Sequence, residues 1–264
     1  MVAFPPRPTL DPVDESSPHA PWALAGEAVV GAVPRRGRAI GRLGSGLSPL
    51  PGPALVVAVR YDASPIGPFC ELDVVEPARL GARPGWSVTV SIVNDGRARM
   101  GGRGNWGLPR ELGSLVWTAD AAVVSVTWAE RGLRLTAHRR AGACPFLVPM
   151  RLLQRRSDGP VAVPLRLRAL ARRASVEVEV AEGEDSLAAI AGRHRGLVLS
   201  SERLRIHRAR HPAGFLHTLR APLRPPEPGV AGAGLASVGA AAAQLQWPPP
   251  GRMAQLVRAQ PSHG

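Results

Sequence analysis

Arginine, tryptophan and glutamate stand close together in the run Gly101-Gly102-Arg103-Gly104-Asn105-Trp106-Gly107-Leu108-Pro109-Arg110-Glu111-Leu112-Gly113. Glycines allow sharp turns and close backbone approach to a ligand. Pro109 restricts its own φ and turns Leu108 away from helical geometry. So constrained a stretch, carrying charges and an indole, reads as a rigid platform for a site. The alternative is a surface turn whose arginines are solvated. Arg110 offers a guanidinium suited to hold a carboxylate or enolate. It stays protonated at ordinary pH and is a poor nucleophile. Glu111 adds a carboxylate able to act as acid or base. No lysine occurs anywhere in the chain, so all 33 residues of the combined Lys+Arg count are arginine.

The elements around this run read as mainly β with minor α. Glu27 to Val33 suits a first strand, and Arg35 to Pro53 a Gly/Pro/Arg-rich loop. Leu55-Val56-Val57-Ala58-Val59 is a β-branched run, followed by Phe69 to Val75 and Trp86 to Val93. Trp86 to Ile92 alternates with the period of a half-buried strand. One or two helical turns fit Asp95 to Arg103. Further strands are expected at 115–117, 122–128, 132–138, 145–153, 161–170, 175–180, 196–199 and 203–208, with a short helix over 184–193. This string suits a sandwich or a barrel. Residues 1–20 read as a flexible arm, 21–224 as one β domain, and 225–264 as a Pro/Gly/Ala tail with a helix at Val238 to Trp247.

The 264 residues carry a formal charge of +13 and a pI near 11.6. Such a balance points first to polyanions. The arginines are scattered, however, without a long run or an Arg/aromatic ladder. With Ala, Gly and Pro abundant and Lys absent, the excess reads as compositional, and no specific nucleic acid is expected. Cys70 and Cys144 form no C-x-x-C pair, and no Cys/His cluster has zinc spacing. His207 and His211 have i, i+4 spacing, but Pro212 and the β pattern argue against a helical metal pair, so no metal is expected. There is no dinucleotide fingerprint and no nucleophile elbow. No apolar stretch reaches membrane-spanning length, and no leader pattern is seen, which suggests a cytoplasmic protein without a membrane partner.

The run 101–113 resembles the signature of the acetoacetate decarboxylase family, roughly G-R-x-x-W/F-G-x-P-K-[KE]-L. Upstream, Tyr61-Asp62-Ala63-Ser64-Pro65-Ile66-Gly67-Pro68-Phe69-Cys70-Glu71 resembles the same family's tyrosine and G-P-[YF]-x-E element. The resemblance implies a closed, mostly antiparallel cone or barrel with the site inside. It also implies that Glu71 lines the pocket and that an early arginine holds the substrate carboxylate, with Arg35 and Arg36 as the candidates. In the family the residue after the motif proline is a lysine that forms a Schiff base with a β-keto acid. The handling of such lysines is a standard case of amine activation by desolvation or a neighbouring cation. Here that residue is Arg110.

The expected site is therefore Arg110, Glu71 and Glu111 as the chemical groups, with Arg103, Trp106 and Tyr61 binding the ligand. The expected function is non-covalent binding of a small keto acid or other carboxylate by a protein that has lost Schiff-base chemistry, with no cofactor. Two alternatives stand beside it. One is a lyase using Glu71 or Glu111 as acid/base while Arg110 steadies an enolate. The other is a basic scaffold or interaction protein. Assembly into a homo-oligomer is compatible with either.

Overall fold

The computed structural model describes residues 17–35, 40–181 and 185–211. The expected helix at Val238 to Trp247, Arg36 and the tail from 225 lie outside the described residues. The elements run β1 (Trp22–Val33), β2 (Ser48–Pro49), β3 (Ala54–Ala63), β4 (Phe69–Leu80), β5 (Arg83–Val93), α1 (Gly96–Trp106) and β6 (Arg110–Leu112). They continue with β7 (Leu115–Ala119), β8 (Val123–Trp128), a 3-10 turn (Ala129–Arg131), β9 (Leu133–Arg139), β10 (Cys144–Arg156), β11 (Gly159–Glu179), α2 (Asp185–Ala188) and β12 (Gly192–Ile206).

The strands close into a ring in the order β10-β5-β4-β3-β1-β12-β11, with β11 returning to β10. Most neighbours are antiparallel; β5 runs parallel to β6, and meets β10 in a parallel pairing at one position, Leu152 with Trp86. The long β11 belongs to two neighbourhoods. Its first part pairs with β10 from Gly159 to Ala171, and its end, Ala174 to Glu179, pairs with β9. From β9 the sheet extends through β8 to β7 as a flap off the ring. Two expected pairs of strands are thus single strands here: 161–170 with 175–180 in β11, and 196–199 with 203–208 in β12. Arg172-Arg173 interrupts the apolar alternation in β11, but the ladder to β12 continues past it through Arg172 with Val198 and Arg173 with Leu197. The helix expected over 184–193 is a single turn.

β3 packs side chains on both of its faces, which explains why its first half reads as a continuous apolar run. One face packs Val29, Val56, Leu72, Val74 and Ile92 against Val124, Val126, Leu133 and Leu135 of the flap. The opposite face gathers Trp22, Tyr61, Phe69, Val93, Trp106, Leu165 and Ile206. Cys70 belongs to the first face, opposite to Glu71, as strand alternation requires.

The glycine run is not a turn. Gly101, Gly102 and Gly104 lie inside α1, and only Gly107, at φ 71°, is in the left-handed region. Asp95 caps the helix start by accepting from the Ala98 N–H at 2.9 Å. At the other end, the Gly107 N–H reaches the Arg103 carbonyl and the Leu108 N–H reaches that of Gly102. Each helical glycine weakens a helix by about 1 kcal/mol relative to alanine. Tertiary packing explains two of them. A Cβ on Gly101 would lie 2.6 Å from the Trp22 ring, and one on Gly102 would lie 2.3 Å from Cδ of Arg110.

Candidate functional site

β6 follows α1 immediately and lies alongside β5, with Ser91 opposite Arg110. This sends the Arg110 side chain beneath the helix and into the ring, where it is 1% exposed. Its Nε donates to Oε1 of Glu71 at 2.8 Å and its Nη2 to the same oxygen at 2.5 Å. Nη1 donates to the Ala98 carbonyl at 2.8 Å, tying the guanidinium to the first turns of α1. The Phe69 ring centre lies 5.8 Å from the guanidinium carbon, an arrangement with some cation–π attraction.

Phe69, Glu71 and Asp73 lie at alternate positions of β4 and therefore share a face. Glu71 is 2% exposed, and Ser91 Oγ lies 3.4 Å from its Oε1. Tyr61, on β3, is buried, with its ring centre 4.6 Å from that of Phe69. Burial, then the Glu71 charge, push its hydroxyl well above the usual tyrosine range, which keeps it a neutral donor to Glu71. Asp73 is half-buried as a residue, yet its Oδ1 is enclosed and has no hydrogen-bond partner. Burial first, and then the neighbouring Glu71 charge, push its carboxyl well above the ordinary carboxylate range. For Arg110, burial pulls downward, but the negative charge of Glu71 leads the effects that outweigh it and hold the guanidinium above its ordinary value.

The arrangement is one guanidinium against two carboxyl groups on the inner face of the ring. Of the two carboxyl groups, Asp73 is the one whose burial, with the Glu71 charge beside it, favours the protonated form. The cluster can thus present a fixed positive charge, a carboxylate and a carboxylic acid side by side.

The remaining expected site residues fall elsewhere. Glu111 is exposed, because the next residue along β6 faces the other way from Arg110. Arg103 is exposed too; its Nε donates to the Arg110 carbonyl at 2.8 Å, so it braces the backbone of β6. Trp106 is fully buried, edge-on to Trp22 at 5.1 Å, with Nε1 donating to the His207 carbonyl at 2.9 Å. Arg35 reaches a different buried carboxylate, lying 3.6 Å from Glu76 and donating to the Leu50 carbonyl. Glu76 also accepts from the Ile40 and Gly41 N–H groups and from Thr89. His207 follows the last strand and His211 lies 3.3 Å from Asp158, with no helix joining the two histidines. Sequence reasoning overlooked Asp73 and Ser91. Strand alternation from Glu71 was the available signal for Asp73.

A concave surface of about 230 Å³ lies across β10, β11 and β12, with Leu147 at one side and arginines, among them Arg166, Arg203 and Arg205, lining it. Arg166 and Arg205 stand directly opposite one another across the two strands. Burial, with the nearby positive charges of Arg166, Arg205 and Arg210, lowers the His207 imidazole below its ordinary range. Among the described residues, no helix is long and apolar enough to cross a membrane.

Comparison with known proteins agrees with the architecture. The family model described as Acetoacetate decarboxylase (ADC) matches residues 22–140. A search of curated proteins returns no match. Among solved structures, the enduracididine biosynthesis enzyme MppR complexed with pyruvate is similar at a TM-score of 0.56 and 19% identity, covering 76% of this chain and 95% of that one. An acetoacetate decarboxylase-like enzyme from Sphingomonas wittichii RW1 gives 0.56 and 18%, covering 76% and 96%. The acetoacetate decarboxylase from Legionella pneumophila gives 0.54 and 15%, covering 75% and 90%. At these identities the likeness is one of fold.

Proposed function

We propose that this chain, which belongs to the acetoacetate decarboxylase family, holds a small keto acid or related carboxylate inside its strand ring without forming a covalent bond to it. The observation that carries this reading is the buried Arg110–Glu71 pair, formed where the family signature has its amine. A guanidinium there offers no nucleophile for a covalent bond, and its own charge is taken up by Glu71. A neighbour in fold, MppR, is described in complex with pyruvate, which supports the choice of ligand class. In the alternative lyase reading Arg110 steadies an enolate while a carboxylate moves the proton. Glu71 is the carboxylate for that role, since the Glu111 side chain faces outward.

Titration calorimetry of the full chain with pyruvate and acetoacetate tests binding. Saturable heat for the native protein, lost in Arg110→Ala, is the expected result; no heat, or equal heat for the variant, removes the reading. Borohydride added with the keto acid should leave no adduct. Slow consumption of acetoacetate by the native protein, without a trapped adduct, would favour the lyase reading.

The arginine-lined hollow across β10, β11 and β12 favours a second reading, a basic surface for polyanions. Salt-dependent retention on heparin that is unchanged by Arg110→Ala but falls in Arg166→Ser/Arg205→Ser would favour it.

A further inference from the structure

We propose that Asp73 is the group that meets the bound ligand, donating a hydrogen bond to its carbonyl or carboxylate oxygen at the inner end of an apolar row across the ring. The inference rests on the keto-acid reading above and names the contact on which that reading turns.

The row follows from strand register. Leu197 pairs with Val30, Val30 with Val57, Val57 with Asp73, Asp73 with Ser91, and Ser91 with Arg110. Directly paired residues share a face, so all six stand on one side of the sheet. Leu197, Val30, Val57 and Asp73 are half-buried, whereas Ser91 and Arg110 are each 1% exposed. The row is thus least enclosed from Leu197 to Asp73 and fully closed at Ser91 and Arg110. Glu71 and Tyr61, at 2% and 5%, are closed off as well. Of the five polar residues of the cluster, Asp73 is the one that is half-buried and not fully buried.

Hydrogen bonding points the same way. Arg110 commits Nε and Nη2 to Glu71 and Nη1 to the Ala98 carbonyl, so its charge is already matched. Asp73 Oδ1 has no partner. Rotation about the Cβ–Cγ bond, which is soft for a carboxyl group, can turn that oxygen toward the half-exposed side. The groups facing Asp73 are Glu71 of its own strand, Tyr61 of β3, Ser91 of β5 and Arg110 of β6. A second ionised carboxylate there would face Glu71 with Arg110 already engaged, so Asp73 keeps its proton. It is a donor, and its natural partner is an oxygen acceptor. The valine and leucine row suits a short aliphatic chain beside that oxygen. The ligand class is thus an aliphatic keto acid, for which 4-methyl-2-oxopentanoate is a suitable probe, with pyruvate as the short-chain control.

Calorimetry of the full chain with both acids from pH 5 to pH 9 tests the proposal. Affinity should fall as pH rises and Asp73 ionises. The branched acid should bind more tightly than pyruvate. Asp73→Ala should weaken binding about tenfold. Asp73→Asn keeps a neutral donor, so it should bind nearly as well as the native chain and lose the pH dependence. Native binding that Asp73→Ala leaves unchanged, or a pH dependence that survives in Asp73→Asn, overturns the role of Asp73 while leaving the keto-acid reading standing. Absence of binding by the native chain overturns that reading and the contact with it. Far-ultraviolet circular dichroism of each variant checks folding. If Asp73→Ala does not fold, the Asp73→Asn profile alone decides.

Discussion

Gly102 and Arg110 are fitted to one another: the missing side chain of the first is the space through which the second enters the ring. A Cβ on Gly102 would lie 2.3 Å from Arg110 Cδ and 2.7 Å from its Nε. Gly102→Ala gains about 1 kcal/mol of helix propensity and loses about 1–3 kcal/mol to overpacking. The arginine cannot swing away without breaking its pair, so the net effect should be destabilising, by up to about 2 kcal/mol. Gly104→Ala is the control. Nothing lies within 4 Å of its added Cβ, and the position is helical. It should stabilise by about 0.5–1 kcal/mol. Urea unfolding of both variants measures the opposite signs.

Removing one partner of a sealed ion pair leaves the other uncompensated. Arg110→Ala and Glu71→Ala should each cost about 3–5 kcal/mol. Arg110→Met combined with Glu71→Leu removes both charges and keeps the volume, so it should recover most of the loss. A double-mutant cycle by chemical denaturation reads the coupling.

Asp73 makes stability depend on pH. Its folded value is raised by burial and by Glu71, so the unfolded chain releases a proton that the folded chain keeps. The sign is that of a raised group: its contribution is fully present below the ordinary carboxylate range and is lost as pH rises toward the folded value. Asp73→Asn should remove that slope, and be more stable than the native chain in neutral and mildly alkaline buffer. Thermal unfolding across pH 5 to 9 tests this.

Arg110→Lys places an amine beside Glu71. Acetoacetate with borohydride should then give a trapped adduct where the native chain gives none. Glu71 favours the charged ammonium, so trapping should increase as pH rises. Mass spectrometry of the treated protein decides it, and an unlabelled variant would show that the surrounding pocket no longer supports the reaction.

Trp106 was expected to touch ligand and is fully buried against Trp22. Trp106→Phe should cost about 1–2 kcal/mol through the lost bond to the His207 carbonyl and a smaller ring, measured by urea unfolding.

Much of the strand content was legible because β-branched runs and alternation survive in β3, β5 and β11. The two motifs marked Glu71 and Arg110, 39 residues apart, as members of one site, whereas Glu111 was expected there and is exposed. Other features were hidden. The glycines of α1 contradict helix propensity, and their reason, contact with Trp22 and Arg110, exists only in three dimensions. Asp73 looked like an ordinary strand residue, since its setting is made by β3, β5 and β6 together. The length of β11 was hidden by Arg172-Arg173, which break the apolar pattern without breaking the ladder.

The meeting of β5 and β10 at a single paired position, Leu152 with Trp86, makes the circuit uneven. Everywhere else around the circumference long ladders share any strain, whereas this one joint works like the clasp of a bracelet. Any loosening of the circuit should begin at that seam, a few residues from the β4–β5 hairpin at Leu80 and Arg83, and leave the long β11–β12 ladder undisturbed.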